Sequence, residues 1–388
     1  MRILHTSDWH IGKRLDQRPR LEEHRAVLKE IVTVAKENSV DLVLIAGDVY
    51  DTFIPTAEGE GLFYDVLSDL STAGITTLVI SGNHDDQQRL IAARALAERT
   101  GAYFADPSFE GFYPEKKGNL TLVTGGGDYF IFEKEGERVY FATLPYPTEL
   151  RMREKVVEGE SYEDKVKRYI KKATEKAGDL PVVLVGHVFM LGGVRTEGER
   201  NIELGGARIL PPSVIPDNCI YTALGHLHKR QVVSGERNIL YSGSIMQFSF
   251  DEAGYEKSVT VFDVTGGKVQ NLKTVKLRSY KELYNVTASS VEEAEEKISH
   301  LDGYVQLTLN LDGPLDGAVL KSFLNAHDNV VLKMVFSGAE GSVTLRRDLD
   351  DQSLFKEYYK ARFGGEPSAD VLELYLRLIG EEEVCNEA

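Results

Sequence analysis

The sequence predicts a layered α/β protein, and three observations lead to that prediction. Within residues 1–100, short apolar runs alternate with stretches of helical spacing, in the order β-α-β-α-β-α. The connections between these segments are short, as they are in domains whose helices cover a sheet. Polar side chains follow the apolar runs where strands should end, and open α/β sheets place their sites at that edge. A β-α-β-α-β pattern at residues 282–336 predicts a smaller unit of the same class.

The elements of the first hundred residues are predicted from their apolar patterns. The run DLVLIA is apolar without interruption, which is typical of a strand in a sheet that is covered on both faces. The segment after the first strand has apolar residues three and four positions apart, as an amphipathic helix does. The predicted strands are 1–6, 41–46 and 78–80, and the predicted helices are about 20–38, 56–73 and 87–100.

The middle of the chain changes to shorter strands that are separated by glycine-rich turns. One charged helix is predicted among them, at about 162–177. The predicted strands are 119–123, 129–133, 138–144, 182–185, 219–224, 239–241, 258–264 and 269–277. They complete a first domain, which we predict to span residues 1–278.

Two further units are predicted after this domain. The first, residues 279–338, contains strands and helices at 282–288, 291–301, 304–310, 315–327 and 330–336. The second, residues 339–388, begins within a predicted linker at about 338–342 and contains two short amphipathic helices, at about 352–363 and 369–379. Their apolar faces are Leu354, Phe355, Tyr358, Tyr359 and Phe363 in one helix and Val371, Leu372, Tyr375, Leu376 and Ile379 in the other.

Composition and charge narrow the class of protein. The chain has 388 residues, 42% of them hydrophobic, which suits two or three globular domains. No apolar run approaches the ~18–20 residues that are needed to span a bilayer, so no membrane association is expected. The formal net charge of −16 argues against polyanion binding by the whole surface. Any contact with nucleic acid must therefore come from a local patch, from bound cations or from a partner.

Cysteine usage points to a reducing compartment. Cys219 and Cys385 are too few and too far apart for a disulfide framework or a cysteine-based metal site. The opening MRILHTSD has no basic and apolar leader of the signal-peptide type. The predicted location is the cytoplasm.

The polar residues at the predicted strand ends are the candidate functional residues of this sequence. They are Asp8 and His10, Asp48, Asn83 and His84, His187, and His226 and His228. Oxygen and imidazole ligands without thiolate suit borderline divalent ions such as manganese, iron or zinc. Even without His84, the set exceeds what one tetrahedral ion uses, so it suits two ions that share Asp48. Two divalent cations against two carboxylates leave about +2, which favours an anionic substrate such as a phosphate ester.

Taken one at a time, these residues have simpler interpretations. An aspartate after a strand, such as Asp8 or Asp48, is more often a turn or helix-cap residue. A single histidine such as His187 is equally compatible with a hydrogen-bonded position in the core. His226 and His228 are a better pair, because alternate positions on an extended strand face the same way. The joint occurrence of five such sets favours a metal centre.

The order of the motifs resembles a known family. DWH, GDVYD, GNHD, GH and GHLH stand in this order and are similar to the five signatures of the calcineurin-like metallophosphoesterases. The opening ILHTSDWHIG and the two C-terminal units are similar to one bacterial branch, the nuclease subunits of a DNA-repair complex. The resemblance implies a β-sandwich flanked by helices, followed by a small α/β capping domain and a C-terminal helix pair.

The resemblance also implies a role for each residue of the motifs. One manganese ion would be held by Asp8, His10 and His228 and the other by Asn83, His187 and His226, with Asp48 between the two ions. His84 would contact the scissile phosphate and protonate, or electrostatically stabilise, the leaving 3′-oxygen. Asp85 would orient one of the histidine rings. Asp51 stands where archaeal relatives have a histidine, and its role is left open.

The activity implied by the resemblance is that of a manganese-dependent DNA nuclease. It would act as an exonuclease on duplex ends and as an endonuclease on hairpins or single strands. The implied partner is an SMC-like ATPase, whose coiled coil would bind the C-terminal helices, and the alternative is that both helices dock on their own chain. The capping domain would help to hold DNA over the metals.

A homodimer within a heterotetramer is also implied, through the helices after the second and third strands. The apolar residues that could supply its surface are Leu62, Phe63, Val66, Leu67 and Leu70. Their spacing fits burial within the monomer equally well.

Two other functions compete with the nuclease. A phosphoesterase for small molecules or phosphoproteins would carry the same five motifs, but it would not need the two units that follow residue 278. A scaffold that bridges DNA ends would not need an intact ligand set with His84 beside it.

Overall fold

The computed structural model describes residues 1–16, 18–92, 94–106, 108–109, 111–152, 159–194, 209–311 and 317–336. The predicted linker and the two predicted C-terminal helices lie outside the described residues. Within those ranges, no helix combines the length and the apolar character that a membrane crossing requires.

The strands of the described residues are numbered in chain order. They are β1 (Arg2–Thr6), β2 (Leu42–Ala46), β3 (Thr76–Ile80), β4 (Ala102–Phe104), β5 (Glu115–Lys117), β6 (Leu120–Gly125), β7 (Tyr129–Lys134), β8 (Glu137–Leu144), β9 (Val182–His187), β10 (Cys219–Gly225), β11 (Gln231–Ser234), β12 (Ile239–Tyr241), β13 (Ser258–Thr265), β14 (Lys268–Lys276), β15 (Glu282–Ala288), β16 (Gly303–Leu311) and β17 (Val330–Phe336). The α-helices are α1 (Leu21–Glu37), α2 (Ala57–Thr72), α3 (Gln87–Ile91), α4 (Arg94–Ala97), α5 (Glu149–Met152), α6 (Tyr162–Thr174), α7 (Val291–Ile298) and α8 (Gly317–Ala326).

Two of the three sheets face each other. The first has the order β14-β13-β1-β2-β3-β4, and the second has the order β11-β12-β10-β9-β8-β7-β6-β5. Ile3, Leu44 and Leu78 of the first sheet lie in one buried cluster with Phe141 and Val183 of the second. The predicted β-sandwich is therefore confirmed. The strands that carry the strand-end motifs, β1, β2 and β3 in one sheet and β9 and β10 in the other, are parallel within each sheet.

Helices cover the outer face of each sheet. Val43 and Ile45 of β2 pack in a cluster that includes α1 and α2, whereas Leu42, Leu44 and Ala46 point into the space between the sheets. This alternation explains why β2 is apolar at every position, since both of its faces are buried. The helix α6 covers the second sheet in the same way. It begins with a capping box between Ser161 and Asp164.

The apolar face of α2 belongs to the core of the monomer. The five side chains in question are Leu62, Phe63, Val66, Leu67 and Leu70, and each is at most 4% exposed. They pack in the same cluster as α1 and β2. Of the two interpretations that the spacing allowed, burial within the monomer is the one that the structure bears out.

The third sheet has its own hydrophobic core. The strands β15, β16 and β17 are parallel neighbours, and the cluster around them includes Ala294 and Ile298 of α7 and Phe323 of α8. Polar contacts join this unit to the sandwich. The Tyr304 hydroxyl donates to Glu23 over 2.9 Å, and the Leu283 N–H donates to Gln247 Oε1 over 2.7 Å.

The structure differs from the predicted elements mainly at the sheet edges. The helix predicted over 87–100 is divided into α3, α4 and a 3-10 turn at Glu98–Thr100, and β4 follows it. The strands β4, β5 and β11 were not predicted, and all three are edge strands. β4 and β5 have three residues each, β5 (EKK) is polar and largely exposed, and β11 (QVVS) has four residues and is only partly buried. Such segments lack the apolar pattern by which a strand is recognised.

Candidate metal centre

The strand ends turn sharply where they deliver the candidate ligands. Asp8, His10, Asp48 and His226 all have φ between 43° and 105°, in the region that residues other than glycine rarely adopt. Backbone hydrogen bonds hold these turns together, from the Asp8 N–H to the Gly47 carbonyl and from the His10 N–H to the Asp48 carbonyl, both 3.0 Å. Unusual backbone conformations of this kind concentrate at functional sites.

Asp8, His10 and His228 form the first group. The Nε2 atoms of His10 and His228 are 3.0 Å apart, and the three side chains can point one ligand atom each into a common space. The Asp8 carboxylate also accepts the Ser7 hydroxyl at 2.5 Å and the His226 N–H at 3.0 Å. All of these residues are at most 5% exposed.

Asn83, His187 and His226 form the second group. The Asn83 Oδ1 atom lies 3.0 Å from His187 Nε2 and 2.9 Å from His226 Nδ1. An amide oxygen and two imidazole nitrogens from three different strand ends therefore converge on one point. The ring of Tyr146 stacks on His226 at 6.1 Å and fills the space beside the group.

Asp48 lies between the two groups. Its Oδ2 atom is 3.3 Å from His187 Nε2 and 3.6 Å from His10 Nε2, so the same oxygen faces both. Its Oδ1 atom accepts the His84 N–H at 2.8 Å. A Cβ atom at Gly82 would lie 2.1 Å from that oxygen, so the close approach of the GNHD loop to Asp48 requires glycine there. This position is the one that a bridging ligand would need.

The charge pattern of the centre fits bound cations. Asp8 and Asp48 are buried carboxylates, and burial raises the pKa of Asp8. Burial opposes charge on the His187 ring, yet the Asp48 carboxylate raises the pKa of that ring to about 9. Carboxylates that favour positive charge on a neighbouring ring would also favour a divalent cation in the same place. The donor set, which consists of nitrogen and oxygen atoms only, suits manganese, iron or zinc.

His84 stands beside the centre with one ring nitrogen already engaged. Its Nδ1 atom lies 2.7 Å from the Asp51 carbonyl oxygen. Because a carbonyl only accepts, Nδ1 of His84 carries a proton. The His84 ring packs edge-on against His10 with centroids 4.6 Å apart. Geometry also groups it with His10 and Asp48 as a possible metal ligand. Its expected role towards substrate stays a prediction.

Asp51, whose role the sequence left open, supports both of these histidines. Its carboxylate lies 3.4 Å from His10 Nδ1, and its backbone carbonyl accepts from His84. Lys13 Nζ pairs with the same carboxylate at 2.9 Å. Burial would raise the pKa of Asp51, but His10 and Lys13 lower it well below its usual value, so Asp51 is ionised.

Asp85 makes different contacts from those expected. We expected it to orient a histidine ring, but its carboxylate instead accepts the N–H groups of Val49, Tyr50 and Gly82, at 3.2, 2.9 and 2.8 Å. It therefore ties the loop that carries Asp48 to the loop that carries Asn83 and His84. The prediction of its partner was wrong, and the residue acts on the backbone of the site.

Sequence reasoning missed Arg151, which holds the GNHD loop from the other side. Its guanidinium donates to the carbonyls of Gly82 and Asp85 at 2.5 and 2.6 Å and lies over the Tyr146 ring. An arginine that follows a proline-rich turn carries no motif that would single it out. The contact forms where the end of β8 meets the end of β3 of the facing sheet, and the Tyr146 N–H donates to the Ser81 carbonyl there at 3.0 Å.

Sequence reasoning also missed Glu252 and Lys257. Glu252 Oε1 lies 2.9 Å from His228 Nδ1, and Glu252 Oε2 accepts from Lys257 Nζ at 2.5 Å. Burial would raise the pKa of Glu252, but Lys257 and His228 lower it well below its usual value. The segment SFDEAGYEK contains no strand end and no metal-ligand spacing, so nothing local marked these two residues.

Comparison with known proteins identifies the family of this chain. The family model described as "Calcineurin-like phosphoesterase" matches residues 1–230. The D subunit of nuclease SbcCD from Bacillus subtilis (strain 168) is 32% identical and is covered over 99% of its length by 99% of this chain. The D subunits of nuclease SbcCD from Rhodobacter capsulatus and Escherichia coli (strain K12) are 34% and 27% identical, over 69% and 71% of this chain and 67% and 68% of theirs.

The chain is a calcineurin-like phosphoesterase, and its chemistry is that of a metal-dependent phosphodiester hydrolase. Within that class it belongs to the SbcD family, the D subunits of nuclease SbcCD. The resemblance that the five motifs indicated is thereby confirmed.

Proposed function

We propose that this chain is a manganese-dependent DNA nuclease and works as the SbcD component of an SbcCD complex in the cytoplasm, in DNA repair and recombination. It would degrade duplex ends as an exonuclease and cut hairpins and single strands as an endonuclease. The observation that carries the proposal is the position of Asp48 Oδ2, which faces His187 and His10 at 3.3 and 3.6 Å. The 32% identity with the Bacillus subtilis protein supports it.

The ligands divide between two cations in this proposal. The first cation would be held by Asp8, His10 and His228, the second by Asn83, His187 and His226, and both by Asp48. When bound, such a pair supplies Lewis-acid activation of water and neutralises charge on the phosphate. The protein contributes a buried set of donors whose positions are fixed before substrate arrives, which lowers the cost of reorganisation.

His84 would serve the leaving group. The Asp51 carbonyl fixes the proton of the ring on Nδ1, at 2.7 Å, so Nε2 is directed away from that carbonyl. A protonated Nε2 would donate to the leaving 3′-oxygen, and a neutral ring would leave that oxygen without a donor. The His84 ring also packs edge-on against the His10 ring.

The unit at residues 279–338 would cap the centre and help to hold DNA over it. The contact between Leu283 and Gln247 supports this placement, because the next residue, Phe248, packs against the rings of His10 and His228 at 5.3 and 5.6 Å. The unit therefore joins the sandwich close to the first group of ligands.

Partners complete the proposal. The relatives are named as subunits of a nuclease, SbcCD. We propose that this chain binds an SMC-like ATPase, SbcC, through the predicted helices of residues 339–388. A homodimer within a heterotetramer would use surfaces of α2 and α3 other than the buried face of α2. The competing functions are a phosphoesterase for small molecules or proteins and a scaffold that bridges DNA ends.

Cleavage of end-labelled duplex and hairpin DNA tests the proposal. The purified chain is assayed in manganese, in magnesium and in EDTA, beside His84→Ala and a small phosphodiester substrate. We expect DNA cleavage in manganese and none in EDTA. Cleavage of the small ester with none of DNA, even with the ATPase partner added, would favour the small-molecule phosphoesterase. DNA binding without any hydrolysis would favour the scaffold.

A further inference from the structure

Glu252 and Lys257 form a buried ion pair directly behind one candidate ligand of the metal centre. Glu252 Oε2 is 2.5 Å from Lys257 Nζ, and the two residues are 0% and 2% exposed. The removal of two charges from water costs more than such a pair commonly returns in stability. A buried pair at this position therefore invites a functional explanation.

The pair contacts His228 at two places, the side-chain ring and the backbone carbonyl. Glu252 Oε1 lies 2.9 Å from the ring Nδ1, and Lys257 Nζ donates to the His228 backbone carbonyl over 3.0 Å. Lys257 also donates to the Ser244 hydroxyl at 2.8 Å, which anchors the ammonium on a third partner. Ring and backbone are thus fixed by one connected set of charges.

This contact decides which ring nitrogen of His228 carries the proton. An ionised carboxylate only accepts hydrogen bonds, so the proton of the ring stays on Nδ1 and the lone pair lies on Nε2. Nε2 is the atom that faces His10 Nε2 at 3.0 Å, inside the first group of ligands. A carboxylate behind a ligating imidazole orients the ring and makes it a stronger donor.

Two other ligand histidines, His187 and His10, are supported differently. The Nδ1 atom of His187 faces the neutral backbone carbonyl of Ala46 at 2.8 Å. His10 has a carboxylate nearby, but Asp51 lies 3.4 Å from its Nδ1, which is longer than the contact at His228. The contact from Glu252 to the His228 ring, at 2.9 Å, is thus shorter than the one from Asp51 to the His10 ring.

We propose that Glu252, held by Lys257, is a positioning residue that fixes the Nδ1–H tautomer of His228 and raises the affinity of the first cation position. The inference rests on the proposed two-cation centre. It predicts that loss of the Glu252 acceptor weakens the binding of one cation and leaves the other nearly unchanged.

Two double variants test the hydrogen-bond acceptor that residue 252 offers to Nδ1 of His228. Both carry Lys257→Met, so that no buried charge is left without its partner. In the first, Glu252→Gln keeps an oxygen that can accept from Nδ1, and in the second, Glu252→Leu removes it. The matched control is Asp41→Asn with Lys134→Met, because Asp41 is a buried carboxylate paired with a lysine at 2.9 Å at the amino end of β2, away from the centre.

Manganese binding is measured by titration calorimetry of the full chain, with urea unfolding of the metal-free chain as the check on folding. We expect the Leu variant to bind one of two cations about 10- to 100-fold more weakly than the wild type. The Gln variant should keep most of the affinity, and the control should match the wild type. Wild-type affinity in the Leu variant, or equal losses in the Gln and Leu variants, would overturn the proposal.

A second measurement needs no variant that must fold. Nitrogen-15 NMR of histidine-labelled wild-type chain, metal-free and with diamagnetic zinc, reports which ring nitrogen carries the proton. We expect a proton on Nδ1 of His228 in both states, and an Nδ1 without a proton overturns the inference. Failure of the wild type to bind two cations would count against the proposed function, whereas the state of Nδ1 would still decide the role of Glu252.

Discussion

The two halves of the candidate metal centre, which are the first and the second group of ligands, carry different charge. The first group has the Asp8 carboxylate, and its histidines have Asp51 and Glu252 behind them. The second group has the neutral amide of Asn83, and a backbone carbonyl stands behind His187. Because carboxylates bind divalent cations more strongly than amides do, the first half should hold its cation more tightly. In the proposed two-cation centre, the two positions that share Asp48 would thus be unequal.

The largest effect is expected at the residue that both halves share. Asp48→Asn keeps the shape of the side chain but removes the charge between the two groups. Cleavage should fall at least about 10³-fold, since both cation positions are weakened at once. Calorimetry of Asp8→Asn is the control, because it should weaken the first position alone. Two unchanged manganese sites in Asp48→Asn would remove Asp48 from the bridging role.

His84 belongs to neither half of the proposed ligand set. A substitution of His84 should therefore lower the rate of cleavage without weakening metal binding. His84→Ala is expected to lower cleavage by about 10²- to 10⁴-fold, the range of a general acid, with the manganese titration unchanged. The measurements are single-turnover cleavage of end-labelled DNA and titration calorimetry. Loss of a cation in this variant would mean that His84 is a ligand, as its distance from His10 and Asp48 also permits.

Chelation should expose the contribution of the centre to stability. With each cation at 100 times its dissociation constant, each position should add about 2.7 kcal/mol to the free energy of unfolding. Removal by EDTA should therefore lower the melting temperature by several degrees, which differential scanning calorimetry can record. An equal melting temperature in manganese and in EDTA would contradict the assignment of these residues as ligands.

The smallest effect is expected from a substitution that makes the two halves more alike in charge. Asn83→Asp gives the second group a carboxylate of nearly the same shape, and we expect about tenfold tighter binding at the second position, or ~1.4 kcal/mol. The titration would then show two steps that lie closer together. Tighter binding of the first cation, with the second unchanged, would mean that the two halves are assigned the wrong way round.

The parts of the fold that could be predicted are those whose signal is local. The apolar run at Leu42–Ala46 predicts a strand buried on both faces, and alternate side chains do point into different cores. The short edge strands β5 and β11 could not be predicted, because partly exposed segments of three or four residues carry no such pattern. The spacing in α2 fitted two kinds of burial, and only the packing against α1 and β2 distinguishes them.

From the residues alone, the candidate ligands could be named, because each stands at the end of a strand in a short recognisable motif. Strand direction then brings those motifs to one edge of each sheet without any knowledge of side-chain contacts. Which nitrogen of each ring faces the centre, and what stands behind it, was decided only by tertiary structure. The Asp85 carboxylate accepts from backbone amides, and Glu252, which lies in a segment without any motif, contacts the ring of His228. A hydrogen bond depends on atoms that come together in space, and the order of residues along the chain does not specify them.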